Sequence, residues 1–163
     1  MLFRSSQPAF LYLKKPVSFS PFVSIKEEQF KNELQFTVKS YGVFTSIPQL
    51  GVREGEFDVS VALHAVDADE YQGSYSPRTT FIGERKVEVT AEVGGTIVTT
   101  RDSFWLIPVN PQRSDEVYSS DKGMKISFEK NAVYKPMFLS YKERYGEALA
   151  SYELFPDDEI LNN

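Results

Sequence analysis

Polar and apolar positions alternate with period two along most of this chain, the pattern of half-buried β-strands. In "EFDVSVALHA" the apolar Phe57, Val59, Val61 and Leu63 share one face, while Asp58, Ser60 and His64 fall on the other. In "ERKVEVTAEVGGTIVTT" Val87, Val89, Ala91 and Val93 alternate with Lys86, Glu88, Thr90 and Glu92. Gly94-Gly95 then stands where a two-residue hairpin turn demands positive φ. "NELQFTVKS" repeats the pattern through Leu34, Phe36 and Val38, and "DSFWLIPV" reads as a more fully buried run closed by Pro108 and Pro111.

Further along, Met124, Ile126 and Phe128 alternate with Lys125, Ser127 and Glu129 to predict a strand. Glu129 to Ala132 then turn the chain, and Val133 to Tyr141 form a second strand interrupted at Pro136. Two stretches admit helix. "IKEEQFKNEL" is compatible with two or three helical turns that group Ile25, Phe30 and Leu34, or with a strand lead-in. "YKERYGEALASYEL" is helical by composition, but Tyr145-Gly146 interrupts it and the aromatic alternation suits two antiparallel strands better. Strand signals at roughly 8 to 12 residue spacing predict an all-β fold, an antiparallel β-sandwich with at most one short helix. The inward set expected from the alternation includes Phe57, Val59, Val61, Val87, Val89 and Phe128.

With 163 residues, 41% hydrophobic and 25% charged, the chain is expected to form one domain over residues 1–163 around one core, residues 1–15 being a candidate loosely attached N-terminal segment. A formal charge of -5 and the absence of any basic run longer than Lys14-Lys15 argue against nucleic acid and against an anionic membrane surface as partners. There is no cysteine, which removes disulfides, thiolate nucleophiles and cysteine-rich zinc sites. "MLFRSSQPAFLYLKKP" carries its positive charges after its apolar patch, unlike a signal peptide, and no apolar window is long enough for a transmembrane helix. An exported protein would therefore have any leader outside this sequence.

"GMKISFEKNAVYKPMFLSY", followed by "YELFPDDEILN", resembles the end of the Ig-like β-sandwich modules found ahead of lysostaphin-like zinc metallopeptidase domains in bacterial envelope proteins. Gly123, Ala132, Val133, Tyr134, Tyr141, Pro156 and Asp157 carry the likeness, within residues 122–161. It implies an Ig-like sandwich, an accessory role and an extracytoplasmic location, in the periplasm or at the cell surface. It carries over no catalytic residue, because the zinc ligands of that family lie in a separate downstream domain.

Candidates for chemistry are few. His64 is the single histidine, so any triad, histidine base or multi-histidine metal site must pass through it, and neither a nucleophile elbow nor a second histidine accompanies it. Its alternative role is that of a surface residue at a strand end. In "DADEY", Asp67, Asp69 and Glu70 offer oxygen ligands for a hard cation, but Gln72 occupies the position where an EF-hand loop places glycine. Asp157, Asp158 and Glu159 read as solvated terminal charge. No motif calls for a cofactor or a bound metal.

Aromatic content is more informative: 13 Phe, 9 Tyr and one Trp. Most rings fall on apolar strand faces, but Tyr71 and Tyr75 sit in "DEYQGSYSPRTT", a stretch of loop-like composition beside Arg78. The candidate binding residues are therefore Asp67, Asp69, Glu70, Tyr71, Tyr75 and Arg78, on an expected loop from Asp67 to Thr80. The competing reading folds the tyrosines back over the sandwich edge. The expected function is that of a non-catalytic interaction or spacer module with a protein or glycan partner. A carbohydrate-binding module using Tyr71, Tyr75 and Trp105, a virion structural subunit and a carboxylate-dependent hydrolase are the alternatives.

Overall fold

A computed structural model describes residues 20–30, 32–78, 82–145 and 150–155. In chain order the strands are β1 (Val23–Phe30), β2 (Glu33–Ser40), β3 (Gln49–Glu54), β4 (Phe57–Val61), β5 (His64–Asp67), β6 (Glu70–Tyr75), β7 (Gly83–Val93), β8 (Thr96–Val109), β9 (Asp115–Tyr118), β10 (Lys125–Phe128), β11 (Met137–Tyr145) and β12 (Ala150–Phe155). No helix occurs among the described residues. A four-stranded sheet, ordered β1-β2-β6-β5, packs on a six-stranded sheet, ordered β12-β11-β8-β7-β3-β4, and β9 and β10 form a separate two-stranded ribbon. Every pairing is antiparallel, and the architecture is a β-sandwich as expected.

The β7–β8 hairpin shows how directly the alternation builds this fold. Gly94 and Gly95 adopt φ of 57° and 79°, the left-handed pair that a two-residue primed turn requires, and Val93 pairs with Thr96 across it. From that fixed register Val87, Val89, Ala91 and Val93 all reach the inter-sheet core. They meet Leu34, Phe36 and Val38 of β2, so that both sheets contribute to one apolar layer.

Composition alone suggests a single core, yet the described residues form two clusters, on opposite faces of the six-stranded sheet. β8 explains this. Its even positions Phe104 and Leu106 enter the inter-sheet core, whereas Ile107 and Val109 belong to a second cluster with Phe128, Val133, Met137, Leu139 and Tyr141. The β9–β10 ribbon covers that second face through Val117, Met124 and Ile126. The run "FWLIPV" is continuously apolar because that part of the strand is covered on both sides.

Several expectations change. Phe57 is 53% exposed, with the Arg78 guanidinium 5.3 Å from its ring centroid, because β4 is an edge strand and Phe57 lies at its first position. The chain leaves β4 at Val61 and crosses to the other sheet, so "EFDVSVALHA" is two strands in two sheets, and His64 opens β5 exposed to solvent. Residues 133–136 lie outside any strand, and the strand expected from Val133 begins at Met137, pairing with β8 and β12 rather than with β10. "IKEEQFKNEL" resolves into the β1–β2 hairpin, and "YKERYGEALASYEL" into β11 and β12. Residues 1–15, Lys14-Lys15 included, and Gly146 lie outside the described residues.

The stretch expected as a loop from Asp67 to Thr80 contains the whole of strand β6, Glu70–Tyr75, with Thr79 and Thr80 outside the described residues. Glycine at position 73 makes that strand possible. A Cβ there would stand 2.5 Å from the Ala62 carbonyl oxygen and 2.8 Å from Leu63 Cδ2, where the crossover from β4 to β5 passes over β6.

The burial pattern separates two truncations that the alternation alone treats alike. Val89→Ala, at 0% exposure, is expected to cost about 2 kcal/mol or more through lost burial and a residual cavity. Phe57→Ala, half solvated already, is expected to cost under about 1 kcal/mol. Chemical denaturation midpoints at constant slope check both, and equal losses would contradict the assigned faces.

Candidate functional site

On the outer face of the six-stranded sheet, away from the inter-sheet core, the second apolar cluster occupies only the part under the β9–β10 ribbon. The rest is an open groove of about 910 Å³ over β4, β3, β7 and β8. Alternation decides what lines it: with Leu50 and Val52 turned inward, Gly51 and Arg53 of β3 face the groove, joined by Asp58 and Ser60 of β4. Lys86, Glu88 and Thr90 of β7 and Arg101 and Ser103 of β8 continue it. Gly51 leaves the floor bare, since a Cβ placed there meets nothing within 4 Å.

The charges of the groove pair with one another across neighbouring strands. Arg53 grips Asp58, its directly opposite partner, with Nε to Oδ1 at 2.8 Å and Nη2 to Oδ2 at 3.0 Å. Arg101 Nε donates to Glu88 Oε2 at 2.6 Å, again between directly opposite residues, and Lys86 lies 3.9 Å from Glu84. All these side chains are well exposed, so solvent screens each pair and it is readily exchanged for a charged ligand. The hydrogen bonds from Arg53 hold the Asp58 carboxyl below its ordinary value, which keeps it ionised and suits charge pairing rather than general acid catalysis.

A second hollow of about 350 Å³ continues the groove beside the ribbon, sharing Glu84 and Ser103 with it and adding Trp105, Ser120, Glu143 and Tyr145. Trp105, half-buried, stacks on the fully buried ring of Tyr141 with centroids 5.9 Å apart and planes 13° from parallel. Glu143 is held by neutral donors: the Ser120 amide reaches Oε1 at 2.8 Å, and the Ser120 and Tyr145 hydroxyls reach Oε2 at 2.5 Å. Partial burial pushes the Glu143 carboxyl up, and these hydrogen bonds more than offset it, leaving the group below its ordinary value and ionised at neutral pH. The ribbon's turn is clamped by Asp121, which accepts from Ser119 Oγ at 2.6 Å, the Gly123 amide at 2.9 Å and Tyr152 Oη of β12 at 2.7 Å. Those donors hold Asp121 down to about 2.

The residues singled out in the sequence are not gathered into one site. Asp67 ends β5, Asp69 lies in the β5–β6 turn and Glu70 opens β6, where Lys39 Nζ approaches its carboxylate at 3.4 Å. Arg78 follows the far end of β6 and sits over Phe57. The strand from Glu70 to Tyr75, roughly 17 Å of extended chain, thus separates the acids from Arg78. Between them Tyr71 packs on the core with its ring at 88° to Phe44, centroids 5.2 Å apart. Tyr75 is 3% exposed and donates its hydroxyl to Glu54, and burial raises its pKa.

Trp105 alone among the rings considered for ligand stacking lines the outer hollow. Gly51, Arg53, Arg101, Glu143 and Tyr145 escape sequence reading. The usable signal was the polar face of the β3, β7 and β8 alternation and a glycine inside a strand pattern at position 51. Among the described residues no group of three or more His, Asp or Glu is placed to hold a metal ion, and no helix is long and apolar enough to cross a membrane. Asp157, Asp158 and Glu159 lie outside the described residues.

Comparison with protein-family models finds no match for this chain, and comparisons with curated proteins and with solved structures find none either.

Proposed function

We propose that this chain is a non-catalytic interaction module that receives a partner protein on the outer face of its six-stranded sheet. The observation that carries this reading is the 910 Å³ groove, whose charges pair side by side along the strands instead of converging on a point where a reacting atom would sit. Such a lining presents alternating positive and negative groups at low cost of exchange, which favours an extended polar surface over a small substrate. Carboxylate catalysis finds little support here. The carboxyl raised by burial, Glu27, lies on the inner side of the sheet, paired with Lys142. The glycan reading loses two of its three rings, since Tyr71 and Tyr75 pack inward. Placement in a bacterial envelope protein rests on the resemblance of residues 122–161, and the binding face does not depend on it.

Gly51→Tyr tests the proposal. A Cβ at Gly51 meets nothing within 4 Å, so the variant is expected to keep its denaturation midpoint while its ring occupies the groove floor. Immobilised wild-type protein should retain a partner from an envelope extract, and Gly51→Tyr should retain it about tenfold less. Equal retention by the two proteins would move the binding face elsewhere.

A further inference from the structure

The hollow beside the ribbon differs in charge from the groove it continues. Its lining of Glu84, Ser103, Trp105, Ser120, Glu143 and Tyr145 contains two carboxylates and two aromatic rings but no cationic side chain. Glu143 enters none of the ion pairs formed among the described residues, and its hydrogen-bond donors are hydroxyls and an amide. Among the described residues Glu84 has Lys86 as its sole ion-pair partner, 3.9 Å away and 69% exposed at its side chain. Glu84 and Trp105 are directly opposite across β7 and β8, and Trp105 and Tyr141 across β8 and β11, so a carboxylate, an open indole and a buried ring stand in one row. The stacked Tyr141 fixes the indole plane, and the Ser120 and Tyr145 bonds fix the carboxylate.

We infer that this hollow binds an organic cation, a guanidinium or alkylammonium group presented by an Arg or Lys side chain of the partner. The inference rests on the interaction-module reading and names the group that anchors the partner. An aromatic face attracts a cation through its quadrupole, tryptophan most strongly, and the fixed carboxylates supply charge-assisted hydrogen bonds. A neutral sugar would satisfy the ring but leave the charge of Glu143 unmatched. The volume of about 350 Å³ falls at the lower end of the range for small-ligand pockets and admits an Arg or Lys side chain along with its head group. A chain of net charge -5 also draws basic partners towards it.

Trp105 is the single tryptophan of the chain, so its fluorescence reports on this hollow alone. N-acetyl-arginine amide and N-acetyl-lysine amide are titrated separately, with N-acetyl-citrulline amide as the uncharged isostere of the first and N-acetylglucosamine oligomers as neutral sugars. Saturable emission changes are expected with the arginine or lysine amide, identifying which head group is preferred, and none with citrulline or the sugars. Glu143→Gln is expected to weaken the response about five- to tenfold. Glu84→Gln, at an exposed position that the fold does not need, should weaken it as well and keeps the test valid if Glu143→Gln perturbs the ribbon. Equal responses to arginine and citrulline, a response to sugar alone, or affinity unchanged in both Gln variants would overturn the inference. A silent Trp105 together with partner retention still lost in Gly51→Tyr removes this inference only. Saturable binding of the amides with retention intact in Gly51→Tyr removes the groove reading only.

Discussion

Replacing Lys142 with Ala is expected to lower stability by about 3–5 kcal/mol, the cost of leaving a buried charge without its partner. Lys142 points inward from β11, where Nζ lies 2.5 Å from Glu27 Oε1 and 2.7 Å from Asp102 Oδ2. The Glu27 side chain is only 4% exposed, so water cannot replace the lost ammonium. The loss should also depend on pH. Burial already raises the Glu27 carboxyl above its ordinary value, against the opposing pull of Lys142. A group with a raised folded pKa binds protons more readily in the native state, so its contribution is favourable in acid and is lost as pH rises through that value. Removing Lys142 raises the group further, and the deficit of Lys142→Ala should therefore be smallest in acid, where Glu27 is protonated in both proteins, and should grow as pH rises towards neutral. Urea denaturation across that range measures it, and Lys142→Met combined with Glu27→Gln should recover much of the stability. A pH-independent deficit, or none, would show that the triad is solvated.

Phe36→Ala is expected to be comparably damaging, at about 3–5 kcal/mol. Phe36 has no solvent exposure and lies between the sheets, with its ring centroid 6.2 Å from Phe104 of the facing sheet and 6.2 Å from Tyr75 on its own. Truncation deletes two tilted ring contacts and opens a cavity that β-strands on both sides cannot collapse to fill. Phe30→Ala, in the same hairpin but 57% exposed, is the control and should stay within about 1 kcal/mol of the wild type. Parallel denaturation curves with equal slopes are the required readout.

The strands legible in the sequence are those whose inward positions are uniformly apolar: β2, β7 and the start of β10 follow the alternation residue by residue. β1 was ambiguous because its inward face runs Val23, Ile25, Glu27, Gln29, turning polar where it meets β11. There Gln29 Nε2 donates to the Phe138 carbonyl at 2.7 Å and the Ser140 hydroxyl donates to Gln29 Oε1 at 2.7 Å. A buried polar seam looks the same as a solvent face when only hydropathy is read. β6 was hidden for a different reason: "EYQGSY" has the residues of a recognition loop, and Gly73 marks a crossing of chains visible only in three dimensions. The outer groove was illegible because it is made by pairing between β4, β3, β7 and β8, and no local signal sets Arg53 opposite Asp58 or Glu88 opposite Arg101.

Strand β8 belongs to two cores at once. Phe104 and Leu106 face one cluster while Ile107 and Val109 face the other, and the same backbone pairs with β7 and β11. Neither cluster can come apart without uncovering a side of this strand, which weakens the grip of the other. The ribbon over the outer face and the four-stranded sheet over the inner one are therefore thermodynamically coupled although they lie on opposite sides of the six-stranded sheet. A partner seated beside the ribbon would tighten the whole sandwich, and slowed amide exchange along β8 would carry that signal to the opposite sheet.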